Sequence, residues 1–429
     1  MRISRKLSVA LMLVMLFAST LPSAIQAQKS LIFLGADVHR NVVRGTGGGA
    51  GIDVLARFEE EFGVKVQHPA VPDVHEMLYR LGPLNRTNED VIHIVAINAV
   101  PRVAQFLTPL DEYLETKPID GWPEDWPEGM INNFKIDGKQ YAVPVRAGTF
   151  CLWYNQKVFE ERGIEGPPKT PEELYEIAKK TTYTREDGTK VYGWVMRGDP
   201  WAIHEMLTIM ARMWDGDLIT SSHEVTVNEP PVVKAVEMLQ RMYAEGILPP
   251  NWGTLSSADT MLMFQQGRTA MGAEANNYGP ILNNPSQSLI SGYAVPAHLP
   301  LAEELWTEER DYSVSFIWIW AQGILSGSQN KDLAWELIRF LASPQSRLDM
   351  AANGNAPARI SVTAAQQEYD IGAKIASEIM KYSRPALPPL ERSNEICDII
   401  AEHVHNAVIN GRNAQEEMDK AAERIKELL

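Results

Sequence analysis

Two short, unbroken apolar runs do most to constrain how this chain can fold. Residues 30–35 read SLIFLG and residues 91–97 read VIHIVAI. A strand that is apolar on both faces must be covered on both, which is the condition of a strand inside a parallel sheet. Between the runs the period changes. Ile52, Leu55, Ala56, Glu59 and Phe62 fall at helical spacing and Gly63 closes the segment. Residues 64–68 return to strand texture and residues 74–81 to helix. Strands and helices alternating at this spacing predict an α/β fold with an open sheet and helices on both faces. In such sheets ligands bind beyond the carboxyl ends of the strands. That rule points to Asp37 and His39 after the first run and to Asn98 after the second. Residues 36–51, polar and rich in glycine, read as a loop.

The stretch 141–170, YAVPVRAGTFCLWYNQKVFEERGIEGPPKT, reads as two short strands with a break at Val145–Gly148, followed by a helix that Gly163 ends. Thr170 is expected to cap the next helix, with Pro171 at its first position and Glu173 three residues after the cap. Further on come a strand at 191–195, an apolar helix at 201–213 and a helix at 230–244 that begins on proline. A short strand follows at 269–272. In the strand at 313–325, Phe316, Trp318 and Trp320 share one face by period-two alternation. Residues 332–341 form an amphipathic helix. The last helix, 414–429, is capped by Asn413 and buries Met418, Ala421, Ala422, Ile425 and Leu428.

The beginning of the chain bears on compartment. Arg2, Arg5 and Lys6 precede an apolar segment at 7–21, and a small-residue segment ends at Ala27. This is the layout of a cleaved secretory signal peptide, residues 1–27. No cysteine lies near the cleavage point, so no lipid anchor is expected. Removing three basic residues takes the net charge from −15 to −18. So acidic a surface argues against nucleic acid and against anionic membrane as partners. The two cysteines, Cys151 and Cys397, lie far apart in sequence, and spacing alone does not say whether they pair.

Catalytic and metal signatures are missing. His-Glu pairs occur at His75, His204 and His223, but Tyr79, Thr208 and Val227 stand where a second histidine would complete a zinc motif. No GxSxG elbow and no CxxC occurs. The glycine run at 45–51 starts ten residues after its strand and lacks the basic residue of a phosphate loop. No cofactor and no metal are expected.

Several segments together resemble one family. Residues 89–114 (EDVIHIVAI…FLTPLDEYL), 138–170 (GKQYAVPV…LWYNQKVFEERGI…PPKT), 264–271 (FQQGRTAM), 332–347 (DLAWELIRFLASPQSR) and 355–362 (NAPARISV) are similar to landmarks of the extracellular solute-binding proteins of carbohydrate ABC importers, the family of maltodextrin-binding protein. The resemblance spans essentially the whole mature chain. It implies the two-lobed periplasmic-binding-protein fold of type II, with the ligand cleft between lobes joined by hinge segments. The N-terminal lobe would take 28–145 with 314–357, and the C-terminal lobe 146–313 with 358–429. The implied function is to capture a sugar or oligosaccharide by hinge closure and hand it to membrane permease subunits. The protein would be monomeric, periplasmic or otherwise extracytoplasmic, and not an enzyme.

The resemblance also assigns roles. Trp201 falls where the family places a stacking aromatic. Glu274, Asn276, Asn277 and Tyr278 fall where it places ligand contacts after a strand. Trp318 and Trp320 stand where a cleft-facing residue is usual, although either could be plain core. Arg146 sits at the first crossing, where it would either touch ligand or hold the hinge, and Arg359 sits at the third. Trp153 reads as core, and Trp122, Trp126, Trp306 and Trp335 as structural. Two other readings stay open: a binding protein for glycerol phosphate or another polar anion, using Arg146 and Arg359, and a secreted glycosidase with paired carboxylates.

Overall fold

A computed structural model describes residues 29–46, 50–69, 71, 89–95, 101–367 and 371–429. The expected signal peptide, the helix at 74–81 and Asn98 lie outside the described residues. The strands are β1 (Ser30–Leu34), β2 (Lys65–Gln67), β3 (Val91–Val95), β4 (Lys135–Ile136), β5 (Lys139–Gln140), β6 (Val143–Asn155), β7 (Tyr183–Thr184), β8 (Lys190–Val195), β9 (Thr269–Ala275), β10 (Ala294–Ala297) and β11 (Ile317–Ile324). Among the described residues one sheet runs β2-β1-β3-β11-β6-β9-β8-β7, with β10 added on β6, and β4-β5 form a separate hairpin. β1 pairs in parallel with β2 and β3, as does β8 with β9. The long β6 and β11 run antiparallel to their neighbours.

β6 joins two bodies. Its first half, up to Thr149, pairs with β11, and from Phe150 onward it pairs with β9. Each half feeds a different core. Ala147 packs with Phe33, Phe58, Ile92, Ile319 and Trp335. Phe150 and Leu152 pack with Trp194, Met206, Met210, Leu239, Ile400 and Ile425. Trp153 and Cys151, on the opposite face of the same strand, pack with Phe264, Leu282 and Ile379. Period-two alternation thus lets one strand serve three clusters.

Local chemistry accounts for most element boundaries. Asp53 caps the helix Val54–Phe62 by accepting from the Ala56 N–H, and Gly63 ends it in the left-handed region. Thr170 caps Pro171–Lys180 through the Glu173 N–H, while Glu173 turns back to accept from the Lys169 N–H. Asn413 caps Ala414–Lys426 through the Glu416 N–H, and the expected stripe is buried except for Leu428, which is half-buried.

Three expectations need correcting. The break read within residues 141–154 is not a break. β6 is continuous, with a register shift opposite Trp320 and Ala321 that leaves Val145 bulged. A bulge costs one unpaired residue and keeps the strand. The Val145 carbonyl is not wasted, since it accepts from Arg347 Nη1 at 2.9 Å. Second, residues 36–51 are not all loop, because Asp37–Arg44 is a helix ended by Gly45 at φ 68°. Its Val42 and Val43 are buried, so two apolar side chains and a glycine stop outweigh a polar composition. Third, the strand read from residue 313 starts at Ile317, since the Ser313 and Ile317 N–H groups go to Leu299 and Arg384 carbonyls. Cys151 and Cys397 form no disulfide.

Candidate ligand-binding site

The carboxyl ends of the parallel strands in both bodies converge on the middle of β6 and the start of β11. Trp320 lies opposite both Val95, the end of β3, and Arg146. Trp318 lies opposite Gly148, and Phe150 opposite Ala275, the end of β9. The backbone of residues 356–357 completes the crossing, with Arg146 bridged to Pro357 and the Ala147 N–H donated to Ala356 at 3.1 Å.

Four rings line this convergence. Trp201, on the turn before the helix Ile203–Ala211, stands edge-to-face with Trp318 at 5.8 Å between centroids. Trp318 meets Trp320 at 6.0 Å, again edge-on, and Trp320 meets His39 at 4.3 Å. Trp201 is 58 % exposed, so most of its apolar surface stays open to solvent beside Trp318. Trp318 and Trp320 are half-buried. Their shared face is the one that period-two alternation predicts.

Polar groups surround the rings. Glu274, 1 % exposed at the end of β9, accepts from Thr260 Oγ1 on one oxygen, and its Oε2 has no partner among the described residues. Burial pushes its carboxyl up to about 7 against the opposing pull of Arg197. The Tyr278 hydroxyl lies 2.6 Å from Ser257 Oγ. Burial lowers the pKa of the Arg146 guanidinium, and its Nη1 is unpartnered among the described residues. Trp320 Nε1 and His39 Nε2 are likewise buried without partners. Burial first, then the charge of Arg146, holds His39 well below the usual histidine range, so it is neutral.

Other candidates are already engaged within the fold. Asn276 Oδ1 accepts from the Thr149 N–H at 3.2 Å, and Asn277 Nδ2 donates to the Gly354 carbonyl at 2.9 Å. Both amides tie β9 to neighbouring backbone. Asp37 is exposed and pairs with Arg40 at 2.6 Å. Arg359 pairs with Asp125 at 2.6 Å, donates to the Ala342 carbonyl and lies 4.5 Å over the Trp126 ring. The rest divide: His39, Trp201, Trp318 and Trp320 form the ring row with Arg146 opposite Trp320, while Glu274 and Tyr278 lie at and just past the end of β9, bonded to Thr260 and Ser257.

The structure adds residues that the sequence reading missed. His93 stacks on His39 at 4.4 Å, with Gln322 Nε2 3.2 Å from its Nε2. His68 stacks on Phe33 at 4.3 Å, and burial depresses it to about 3. Arg197 pairs with Glu205 at 2.7 Å, both buried. One signal was available: the strand-end rule, applied to β8 as to β1 and β3, reaches Arg197. Glu205 gives a weaker signal as the one acid in a mostly apolar helix. Among the described residues no group of three or more His, Cys, Asp or Glu side chains is placed to hold a metal, and no helix is long and apolar enough to cross a membrane.

An α/β body with two cores and an aromatic, polar-lined convergence at the strand ends defines a protein that binds a small molecule between two halves. The comparisons name the family. Residues 51–347 match the model of the bacterial extracellular solute-binding proteins, and the chain belongs to that family. A Bacillus subtilis galactooligosaccharide-binding protein is 24 % identical over 389 residues, covering 87 % of this chain and 85 % of that one. A binding protein of Brucella abortus is 23 % identical over 244 residues, so this chain spans about half its length, 56 %. A T. maritima protein solved with maltose bound superposes with a TM-score of 0.80, covering 93 % of this chain and all of that one at 21 % identity. The fold is therefore that of the two-lobed periplasmic binding proteins.

Proposed function

We propose that this protein is the substrate-binding component of an ABC importer, and that it captures a sugar or oligosaccharide between its lobes and delivers it to membrane permease subunits. The observation that carries the reading is the row Trp201–Trp318–Trp320–His39, with Arg146 Nη1 and Trp320 Nε1 beside it and without partners among the described residues. A pyranose has an apolar face and a rim of hydroxyls. Aromatic rings cover the first, and buried donors and acceptors satisfy the second. The galactooligosaccharide and maltose named for the two similar proteins agree with it. The lobe division read from the sequence, 28–145 with 314–357 and 146–313 with 358–429, is supported in outline by the two separate cores, while the change of partner along β6 at Thr149–Phe150 and the place of Ala147 in the N-terminal core favour a boundary about four residues later. Ligand contacts from both lobes would favour the closed state by their differential affinity. The protein would act outside the cytoplasm after loss of its signal segment, as a monomer and without chemistry on its ligand.

The two other readings gain no support. A phosphate or other anion ligand needed Arg146 and Arg359 together, and Arg359 is already paired with Asp125. A glycosidase is not what the family or its neighbours offer.

The test is a sugar panel, including maltose and galactotriose, followed by melting temperature, titration calorimetry and product analysis. Stabilisation without turnover is expected. Replacing Trp201 with Ala should weaken sugar affinity about threefold to tenfold, the worth of one aromatic contact. Because the ring is exposed, the stability of the free protein should change by no more than about 0.5 kcal/mol. Sugar turnover, or no stabilisation by any sugar, would sink the reading.

A further inference from the structure

Trp318 is held more tightly than a core tryptophan needs to be. Its Nε1 donates to Glu205 Oε1. The other carboxylate oxygen, Oε2, accepts from Arg197 Nη2 at 2.7 Å. The Arg197 guanidinium also lies 5.7 Å from the Trp318 ring centroid and 5.0 Å from that of Phe150. The indole is thus fixed at its edge by a carboxylate and covered on one face by a cation. Three separate elements meet here: Arg197 just past β8, Glu205 on a helix whose nine residues are all buried, and Trp318 on β11.

An ion pair in such a place is a poor way to add stability. Removing two charges from water costs several kcal/mol each, and apolar side chains of similar volume often serve as well or better. What the pair does supply is direction. A tryptophan in a purely apolar pocket can rock about its side-chain torsions, whereas one donating to a carboxylate that is itself held by Arg197 has a preferred orientation. Trp318 is also the middle ring of the row, touching Trp201 on one side and Trp320 on the other.

We propose that Arg197 and Glu205 are positioning residues that hold the plane of Trp318, so that the rings on either side of it present one stacking surface to a sugar. The proposal rests on the sugar-binding reading above. It makes affinity depend on an acceptor oxygen at position 205 as well as on the ring.

The experiment uses the full-length mature chain and three variants: Glu205→Gln, which keeps an acceptor, Trp318→Phe, which assigns the indole signal, and the double variant Arg197→Met/Glu205→Met. The double variant removes both members of the ion pair together, which covers the case in which a single Glu205→Met fails to fold. The readouts are calorimetric affinity for maltose and galactotriose, the Trp318 indole N–H resonance, and the melting midpoint. A downfield Trp318 resonance is expected in the wild type and in Glu205→Gln, with Glu205→Gln within about threefold of wild-type affinity. In the double variant the resonance should move to the position of unbonded indoles, affinity should fall at least tenfold, and the melting midpoint should hold or rise. A folded double variant with wild-type affinity, or with an unmoved Trp318 resonance, would overturn the proposal. If no sugar binds the wild type, the sugar reading fails. The resonance then decides by itself whether the pair holds the ring, and an unmoved signal overturns that too.

Discussion

At the residue scale the most informative group is Glu274. A carboxyl with 1 % exposure and one unpartnered oxygen should be protonated more readily folded than unfolded, and burial does push it up to about 7. A raised carboxyl favours folding while it keeps its proton. Its contribution is therefore complete below the unfolded pKa, near 4.5, and is lost as pH rises through about 7. Glu274→Gln cannot ionise. Urea unfolding at pH 4.5 and pH 8 should thus show the variant gaining on the wild type by up to about 3 kcal/mol across that window. A difference that stays constant with pH would show that Glu274 ionises normally. Glu205, pushed up to about 7 by burial despite its ion pair with Arg197, acts with the same sign and stays unchanged in this comparison.

At the element scale the contact between β8 and the helix Pro171–Lys180 has almost no slack. A Cβ added at Gly193 would lie 1.8 Å from the Ala178 carbonyl oxygen, a backbone atom that cannot swing aside. Gly148, in the crossing part of β6, would meet only the Ala356 side chain at 3.7 Å and Asn276 Oδ1 at 4.0 Å. Gly193→Ala should therefore cost about 1–3 kcal/mol or more in urea unfolding, the usual penalty of overpacking. Gly148→Ala should cost clearly less. Equal penalties at the two sites would mean that β8 and its helix can separate without loss.

At the scale of the whole molecule, the N-terminal core carries an unusual load of neutral histidines. His39, His68 and His93 are stacked among Phe33 and Trp320, and burial is the largest cause of depression in each. His204, beside Trp201, is depressed to about 3 for the same reason. A base whose folded pKa is depressed takes up its proton only on unfolding. Stability is thus present above pH 6.5 and is lost as pH falls towards 3, at about 1.4 kcal/mol per pH unit for each such group. Glu205 and Glu274 oppose this between pH 7 and 4.5, but the four histidines outnumber them. Stability measured in urea should fall from pH 6.5 to pH 5, by an amount on the order of a few kcal/mol. A flat profile would mean that the histidine cluster opens to water and protonates in the folded state.

Strand and helix identity was legible because it is local. Continuous apolar runs, period-two alternation and capping residues such as Thr170 and Asn413 act within a few positions of themselves. The same locality explains the misreadings of Asp37–Arg44 and of β6, where a polar composition and a proline hid a short helix and a continuous strand. The strand-end rule and the family resemblance pointed to most of the residues of the candidate site, since both depend on order along the chain. They could not find how the charges are paired. Arg359 meets Asp125 across 234 residues and Trp318 meets Glu205 across 113, and nothing near either pair announces the other. The sequence by itself determined most of the elements that form and several of their ends, because helix and strand preferences and caps are written in neighbouring side chains. Only the tertiary structure decided that Arg359 is taken up in an ion pair while Arg146 Nη1 has no partner among the described residues. Which charges are compensated depends on distance through space, and that is set only when the two halves of the sheet meet along β6.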